Sequence, residues 1–175
     1  MSIQDAGGSP VRHTRVMPEH ERPSPPSPAP SPAATLTGPW ELDRVAEFLE
    51  SAKIPVRLAT VGKQSPLVQS LWFLYAEDAI WCATTGSALV VRRIEANPEV
   101  GFEIAGDSAP YRGVRGRGTA SIDASAAEPV LKALLDRYGF TNSQLGDWLM
   151  SRVSTEVAIR ISPAVLTSWD FSDRM

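Results

Sequence analysis

The apolar positions of the chain fall into two rhythms, and the change of rhythm marks out its elements. Leu42, Val45, Ala46, Leu49 and Ala52 keep to one face of a helix, with Pro39 placed for a first helical turn and Pro55 closing the segment. From Val56 the period shortens. VRLATV (56–61), LVQSLWFLY (67–75) and AIWCAT (79–84) read as three strands, separated by GKQSP (62–66) and by Glu77-Asp78. Connections this short predict an antiparallel meander. TTGSALVVRR (84–93) then runs into a helix that stops at Asn97-Pro98, and VGFEIA (100–105) is a fourth strand.

YRGVRGRGTASID (111–123) is the fifth strand. Its alternation puts Arg115, Arg117, Thr119 and Ser121 on one face and Val114, Gly116, Gly118, Ala120 and Ile122 on the other. Glycines on the inward face of a strand mark a bulge or the close approach of another group. Ser125 and Glu128 have capping-box spacing ahead of a helix carrying Val130, Leu131, Leu134, Leu135 and Tyr138, closed by Gly139. A shorter helix covers Ser143 to Arg152, and EVAIRIS (156–162) continues past Pro163 into VLTSWDF (165–171) as the last strand. The sum is an α+β domain, a six-stranded antiparallel barrel with peripheral helices.

Composition changes this picture at the N-terminus. Nine of the 15 prolines fall in residues 1–39, many of them in PSPPSPAPSP (23–32), with too few large apolar groups to offset the entropy of ordering. The expected division is a disordered Pro/Ser-rich tail, residues 1–38, and one domain over residues 39–175. Arg12, Arg15 and Arg22 are balanced by Asp5, Glu19 and Glu21, so the tail is not a basic arm for nucleic acid. The net charge is −3, and the arginines of RGVRGRG sit in an alternating strand, so no nucleic-acid partner is expected. No apolar run approaches a membrane span or a signal-peptide core, and a cytoplasmic protein is expected.

Candidate chemistry is sparse. Cys82 is the single cysteine, read as a small buried strand residue, and both histidines, His13 and His20, lie in the tail. A domain without histidine has no Ser-His-Asp triad, no Cys-His pair and no histidine-ligated metal or haem. No metal site is expected. The stretch TTGSALVVRR keeps two readings open. It is an ordinary capped helix with a solvated arginine pair, or it is a loop and helix start that receives a phosphate on free N–H groups.

The order of RLATVGKQSPLVQSLWFLYAEDAIWCAT, a short helix closed by NPEVGFEI, and YRGVRGRGTASI resembles the FMN-binding split β-barrel family. That family includes pyridoxamine 5'-phosphate oxidase and the flavin/deazaflavin oxidoreductases. The resemblance covers roughly residues 40–171. It implies a split β-barrel, a homodimer and a flavin lying against the second and third strands. By position, the cofactor contacts it implies are Gln69, Ser70, Leu71 and Trp72, reaching Phe73, with Cys82, Ala83 and Thr84 on the third strand. The phosphate falls to Thr85, Gly86 and Ser87, with Arg92 leaning back toward the helix start and Arg57 or Lys63 as alternative cations.

Two departures stand out. Where many members place Ser-Arg-Lys at the helix start, this chain has Ala88, Leu89 and Val90, and where the oxidases place a glutamine on the fifth strand it has Gly113. The resemblance therefore implies FMN, or alternatively the deazaflavin coenzyme F-420, and not pyridoxamine 5'-phosphate oxidation. Arg112, Arg115 and Arg117 are candidates for a basic groove beside a longer cofactor tail. The expected activity is hydride transfer to or from a small-molecule substrate, with a non-catalytic flavin-binding, storage or sensing module as the alternative. No catalytic side chain is named, because in such enzymes the cofactor carries the chemistry. Trp72 and Trp169 each stack on a ring or pack in the core.

Overall fold

The computed structural model describes residues 34–63 and 65–175. Most of the segment expected to be a tail, with both histidines, lies outside the described residues. The elements are β1 (Thr35–Thr37), α1 (Leu42–Ser51), β2 (Val56–Val61), β3 (Pro66–Leu71), β4 (Leu74–Ala76), β5 (Ala79–Thr85), α2 (Leu89–Ala96), β6 (Glu99–Ala105), β7 (Arg112–Asp123), α3 (Ala127–Tyr138), α4 (Gln144–Ser151) and β8 (Glu156–Asp170). All eight strands form one sheet in the order β3-β2-β6-β7-β8-β5-β4, with β1 alongside β8 in the parallel sense.

Two corrections to the expected fold follow. The sheet has eight strands, not six, because LVQSLWFLY is two strands and because β1 joins β8. The first three strands are also not a meander. β3 pairs with β2, whereas β4 pairs with β5, and these pairs stand at opposite ends of the sheet. Leu71 and Leu74 are three residues apart and so within about 11 Å of each other. The sheet must therefore curl until its two ends meet at the corner Trp72–Phe73. The α+β class and the split-barrel form are compatible with this curl.

The interior of the curl is the core. Leu58, Phe73, Ile80, Cys82, Ile104, Val114, Ile159 and Ile161 are all fully buried there. Apart from Phe73, at the corner between β3 and β4, they lie on strands, and in β2 and β7 buried positions broadly alternate with exposed ones, as a sheet with one wet face requires. Val45 and Leu49 of α1 and Val90, Val91 and Ile94 of α2 add their apolar faces. Burying side chains of this size contributes about 1.5–3 kcal/mol each.

Helix ends explain several boundaries. Pro39 does not start α1. Gly38, with φ of 99°, turns the chain off β1, and the helix begins only after Glu41. A Cβ on Gly38 would stand 2.1 Å from the Ser168 carbonyl oxygen, so that residue must be glycine. At the other end, the Arg137 guanidinium donates to the carbonyls of Leu49, Glu50 and Ala52, satisfying the last turn of α1 from α3. The expected capping box of α3 is replaced by the Asp123 carboxylate, which accepts from the N–H groups of Ser125 and Ala126 and from the Ser125 hydroxyl. Those bonds lower the Asp123 pKa, the Ser125 hydroxyl most strongly. Ser143 does cap α4, accepting from Gly146 N–H at 3.0 Å.

The inward glycines of β7 behave as expected. A Cβ on Gly118 would lie 2.1 Å from the Ser162 carbonyl oxygen, at the register shift where β7 passes Pro163. β8 runs unbroken through that proline.

Candidate functional site

The corner at Trp72–Phe73 leaves a gap in the backbone ladder. The β4–β5 register is Leu74 opposite Trp81, Tyr75 opposite Ile80 and Ala76 opposite Ala79. Continued backward, it would set Leu71 opposite Thr84, Ser70 opposite Thr85 and Gln69 opposite Gly86. None of those pairs forms. Among the described residues β3 bonds only to β2, and beyond Trp81 the one neighbour of β5 is β8. The result is a seam whose two walls are the free edges of β3 and β5. Among the described residues, alternate positions on each edge present N–H and C=O groups without a strand partner, which leaves them available to another partner.

Hydrogen bonds hold the seam open at both ends. At the corner, the Phe73 N–H donates to the Tyr138 hydroxyl at 3.3 Å, and that hydroxyl donates to the Ile54 carbonyl at 3.4 Å. The Trp72 indole stacks on the Tyr138 ring at 4.9 Å and on the Phe140 ring at 5.1 Å. At the far end, the Gly86 N–H donates to the Thr155 carbonyl at 2.8 Å, which ties the loop to the short 3-10 turn Val153–Thr155. The Thr85 and Ser87 hydroxyls are 3.5 Å apart at this end.

α2 starts directly beyond that loop. Ala88 occupies its N-cap position without a side-chain cap, and its first turn holds no acidic residue. The leading N–H groups of a helix have no acceptor within the helix and carry the positive end of its dipole. An anion there meets no carboxylate from the helix itself.

The expected site residues divide as follows. Gln69, Ser70, Leu71 and Trp72 line the β3 side of the seam, and Ala83, Thr84 and Thr85 the β5 side, with Ser87 at its mouth. Ser70 and Ser87 are exposed and the others half-buried. Arg92 is exposed and makes no ion pair among the described residues. Its neighbour Arg93 is committed elsewhere, donating to the carbonyls of Thr60 and Ser65 across Gly62. Arg57 pairs with Glu103 at 3.7 Å and donates to the Ala105 carbonyl. Trp169 is half-buried and tilted against Phe171, opposite Gly113 in the ladder.

Cys82 is fully buried, and burial pushes its thiol pKa up, so it is neither a nucleophile nor a ligand in the native fold. Tyr75 is the other group of this region with a raised pKa, chiefly from desolvation and secondarily from Asp78. Tyr138, Phe140 and Thr155 position the seam, a role the sequence reading assigned to none of them; it placed Tyr138 only on the apolar face of its helix. Each lies far along the chain from its partner, and no local pattern marks it.

No family model matches the sequence, and no curated protein matches it either. Solved structures do. A conserved hypothetical protein from Mycobacterium tuberculosis is similar at 24% identity and a TM-score of 0.65, over 75% of this chain and 85% of that one. An F420 reductase aligns at 24% identity and a TM-score of 0.59, over 69% and 94%. A putative pyridoxamine 5'-phosphate oxidase from Listeria innocua aligns at 18% identity and a TM-score of 0.56, over 74% and 97%. The chain thus has the fold of pyridoxamine 5'-phosphate oxidase-like proteins and F420 reductases, as the strand order implied. At these identities the likeness is one of fold.

Proposed function

We propose that the chain binds a flavin-type cofactor, FMN or the deazaflavin coenzyme F-420, along the seam and transfers hydride to or from a small-molecule substrate. The observation that carries this reading is the seam itself, with two free strand edges converging on an uncapped helix start. Free N–H and C=O groups of β3 and β5 match the polar edge of a flat heterocycle. Small side chains, Ser70 and Ala83, let a ring approach the backbone closely. The first turn of α2, with Thr85 and Ser87, would hold the phosphate in place of the missing arginine and lysine. Arg92 would add a cation from the exposed side of the helix.

When bound, the cofactor supplies the hydride chemistry. The chain's own part is to bind, orient and exclude water. No acid or base is assigned at the seam, since Cys82 is buried and protonated and the domain has no histidine. A homodimer belongs to the same reading. A single chain leaves Ser70 and Ser87 open to solvent, so a second copy is needed to close over the ring. No described helix is long and apolar enough to cross a membrane.

A second reading, a flavin-binding, storage or sensing module without turnover, is favoured by Ala88, Leu89 and Val90, which supply no cation at the helix start. A titration separates the possibilities. The purified protein is titrated with FMN and with F-420, its mass is measured by light scattering, and the loaded form is mixed with a chemical reductant and acceptors. Stoichiometric binding with reoxidation by an organic acceptor supports the enzyme. Binding without turnover supports the module. If neither cofactor binds, both readings fall.

A further inference from the structure

We infer that Arg152, held between the Trp148 ring and the buried Glu156 carboxylate, supplies a cation to the cofactor phosphate beside a helix start that has none of its own. The inference rests on the proposed cofactor reading and adds to it a residue from a distant part of the chain.

Among the described residues Glu156, the first residue of β8, is the one buried acid, at 7% exposure. A carboxylate taken out of water is costly unless a cation meets it. Its partner is Arg152, whose Nε stands 3.3 Å from Oε1. Glu156 lies opposite Thr85 in the β5–β8 ladder. Side chains paired in this way leave the same face of a sheet, with Cβ atoms about 5 Å apart. The ion pair is thus placed beside the loop that opens α2.

The backbone fixes that placement from the other side. The Arg152 carbonyl accepts from the N–H and from the hydroxyl of Thr155, each at 2.9 Å. The Thr155 carbonyl in turn accepts from the Gly86 N–H at 2.8 Å. The end of α4 and the phosphate loop cannot drift apart without breaking one of these bonds.

The guanidinium is presented as a receptor for an anion. Nε faces the carboxylate, and Nη1 and Nη2 make no hydrogen bond to a side chain or carbonyl among the described residues. The Trp148 ring lies 4.6 Å from Cζ, so an indole and a carboxylate together hold the group in one orientation. That contact also gives a role to Trp148, which is 54% exposed on α4. The Arg152 side chain is 35% exposed against 6% for Glu156, so the arginine stands between the carboxylate and solvent. An anion arriving at Thr85 and Ser87 meets the terminal N–H groups before it meets the negative charge. A planar fork of N–H donors suits two oxygens of one phosphate.

The test compares each cofactor with its own core lacking the phosphate: FMN with riboflavin, and F-420 with its ribityl deazaflavin. Replacing Arg152 alone strands a buried carboxylate. The variant is therefore Arg152→Gln/Glu156→Gln in the full chain, which removes both charges. Affinities are read by fluorescence titration. The expected result is a loss of about tenfold or more for the phosphorylated form, while the phosphate-free core binds within about twofold of the parent. A second readout needs no substitution. In the parent, the Arg152 Nε–H resonance shifts on saturation with the phosphorylated form and stays in place with the core.

A pair that only closes α4 affects both forms alike. Equal losses for the two forms, no loss for either, or an Nε–H resonance indifferent to the phosphate overturns the assignment and leaves the cofactor reading standing. If neither cofactor binds the parent, the cofactor reading falls and the assignment falls with it.

Discussion

Tyr138 and Phe73, 65 residues apart, meet where β3 gives way to β4, with the Phe73 N–H donating to the Tyr138 hydroxyl at 3.3 Å. That bond takes the place of a ladder bond. It stops the strand at the point where the chain changes from one end of the sheet to the other, and the seam opens from there. The neighbouring indole of Trp72 lies flat on the same tyrosine.

Tyr138→Phe keeps the stack and removes the hydroxyl. The Phe73 N–H and the Ile54 carbonyl each lose a partner, so stability falls by about 1 kcal/mol. Amide exchange at Phe73 quickens well before global unfolding. Exchange at Phe73 unchanged from the parent would show that the hydroxyl does not hold the corner.

The loop and helix start are tested by Ser87→Ala and Arg92→Gln. If they hold the cofactor phosphate, each weakens FMN or F-420 binding by about tenfold, corresponding to roughly 1.4 kcal/mol. Thermal stability stays near that of the parent because both side chains are exposed. Affinity that survives both changes removes TTGSALVVRR from the site.

Gly118→Ala places a methyl group 2.1 Å from the Ser162 carbonyl oxygen. One of the paired strands must move, at a cost of about 1–3 kcal/mol. Denaturant unfolding measures it. Gly139→Ala tests a different cause, since nothing crowds that position and its φ of 80° alone disfavours a side chain.

Asp170 fastens the C-terminal end of β8 to the start of α1. Its carboxylate accepts from the Ser172 hydroxyl and N–H, from the Trp40 indole N–H and from Arg44. These contacts, the Ser172 hydroxyl first, lower its pKa below the ordinary 3.8. A depressed carboxylate stabilises the fold fully above its unfolded value and loses that contribution as pH falls through the folded one. Asp170→Asn is therefore less stable than the parent at neutral pH, and the gap closes as pH drops below 3.8. A gap that stays constant through that range rules out the ionised carboxylate as its source.

Much of the local structure was legible because it depends on neighbours in sequence. The alternation in VRLATV and in RGVRGRGTASID identified strands and their faces, and Gly139 marked the end of α3, since each signal needs only a few consecutive residues. The corner within LVQSLWFLY was not legible. Leu67, Gln69, Leu71, Phe73 and Tyr75 keep one inward parity straight through it. Periodicity reports which face a side chain takes and not which strand its backbone bonds to. β1 was missed for a related reason, being three residues long and held to β8 by contacts nearly 130 residues away.

The candidate site shows the same division. The residues on its walls, Gln69 to Trp72 and Ala83 to Ser87, were reached through the resemblance in strand order. Their roles as the two sides of one gap, the engagement of Arg93 with the β2–β3 turn, and the clasp of Tyr138, Phe140 and Thr155 were not. By itself the sequence determined most of the elements, apart from β1 and the break between β3 and β4, the faces they bury and the absence of histidine from the domain, because these follow from residue type and spacing. Only the tertiary structure decided which edges pair, where pairing fails and which arginines stay free. Hydrogen-bond partners in a sheet are chosen across the whole chain, and a gap in the ladder exists only once every other strand has taken its neighbour.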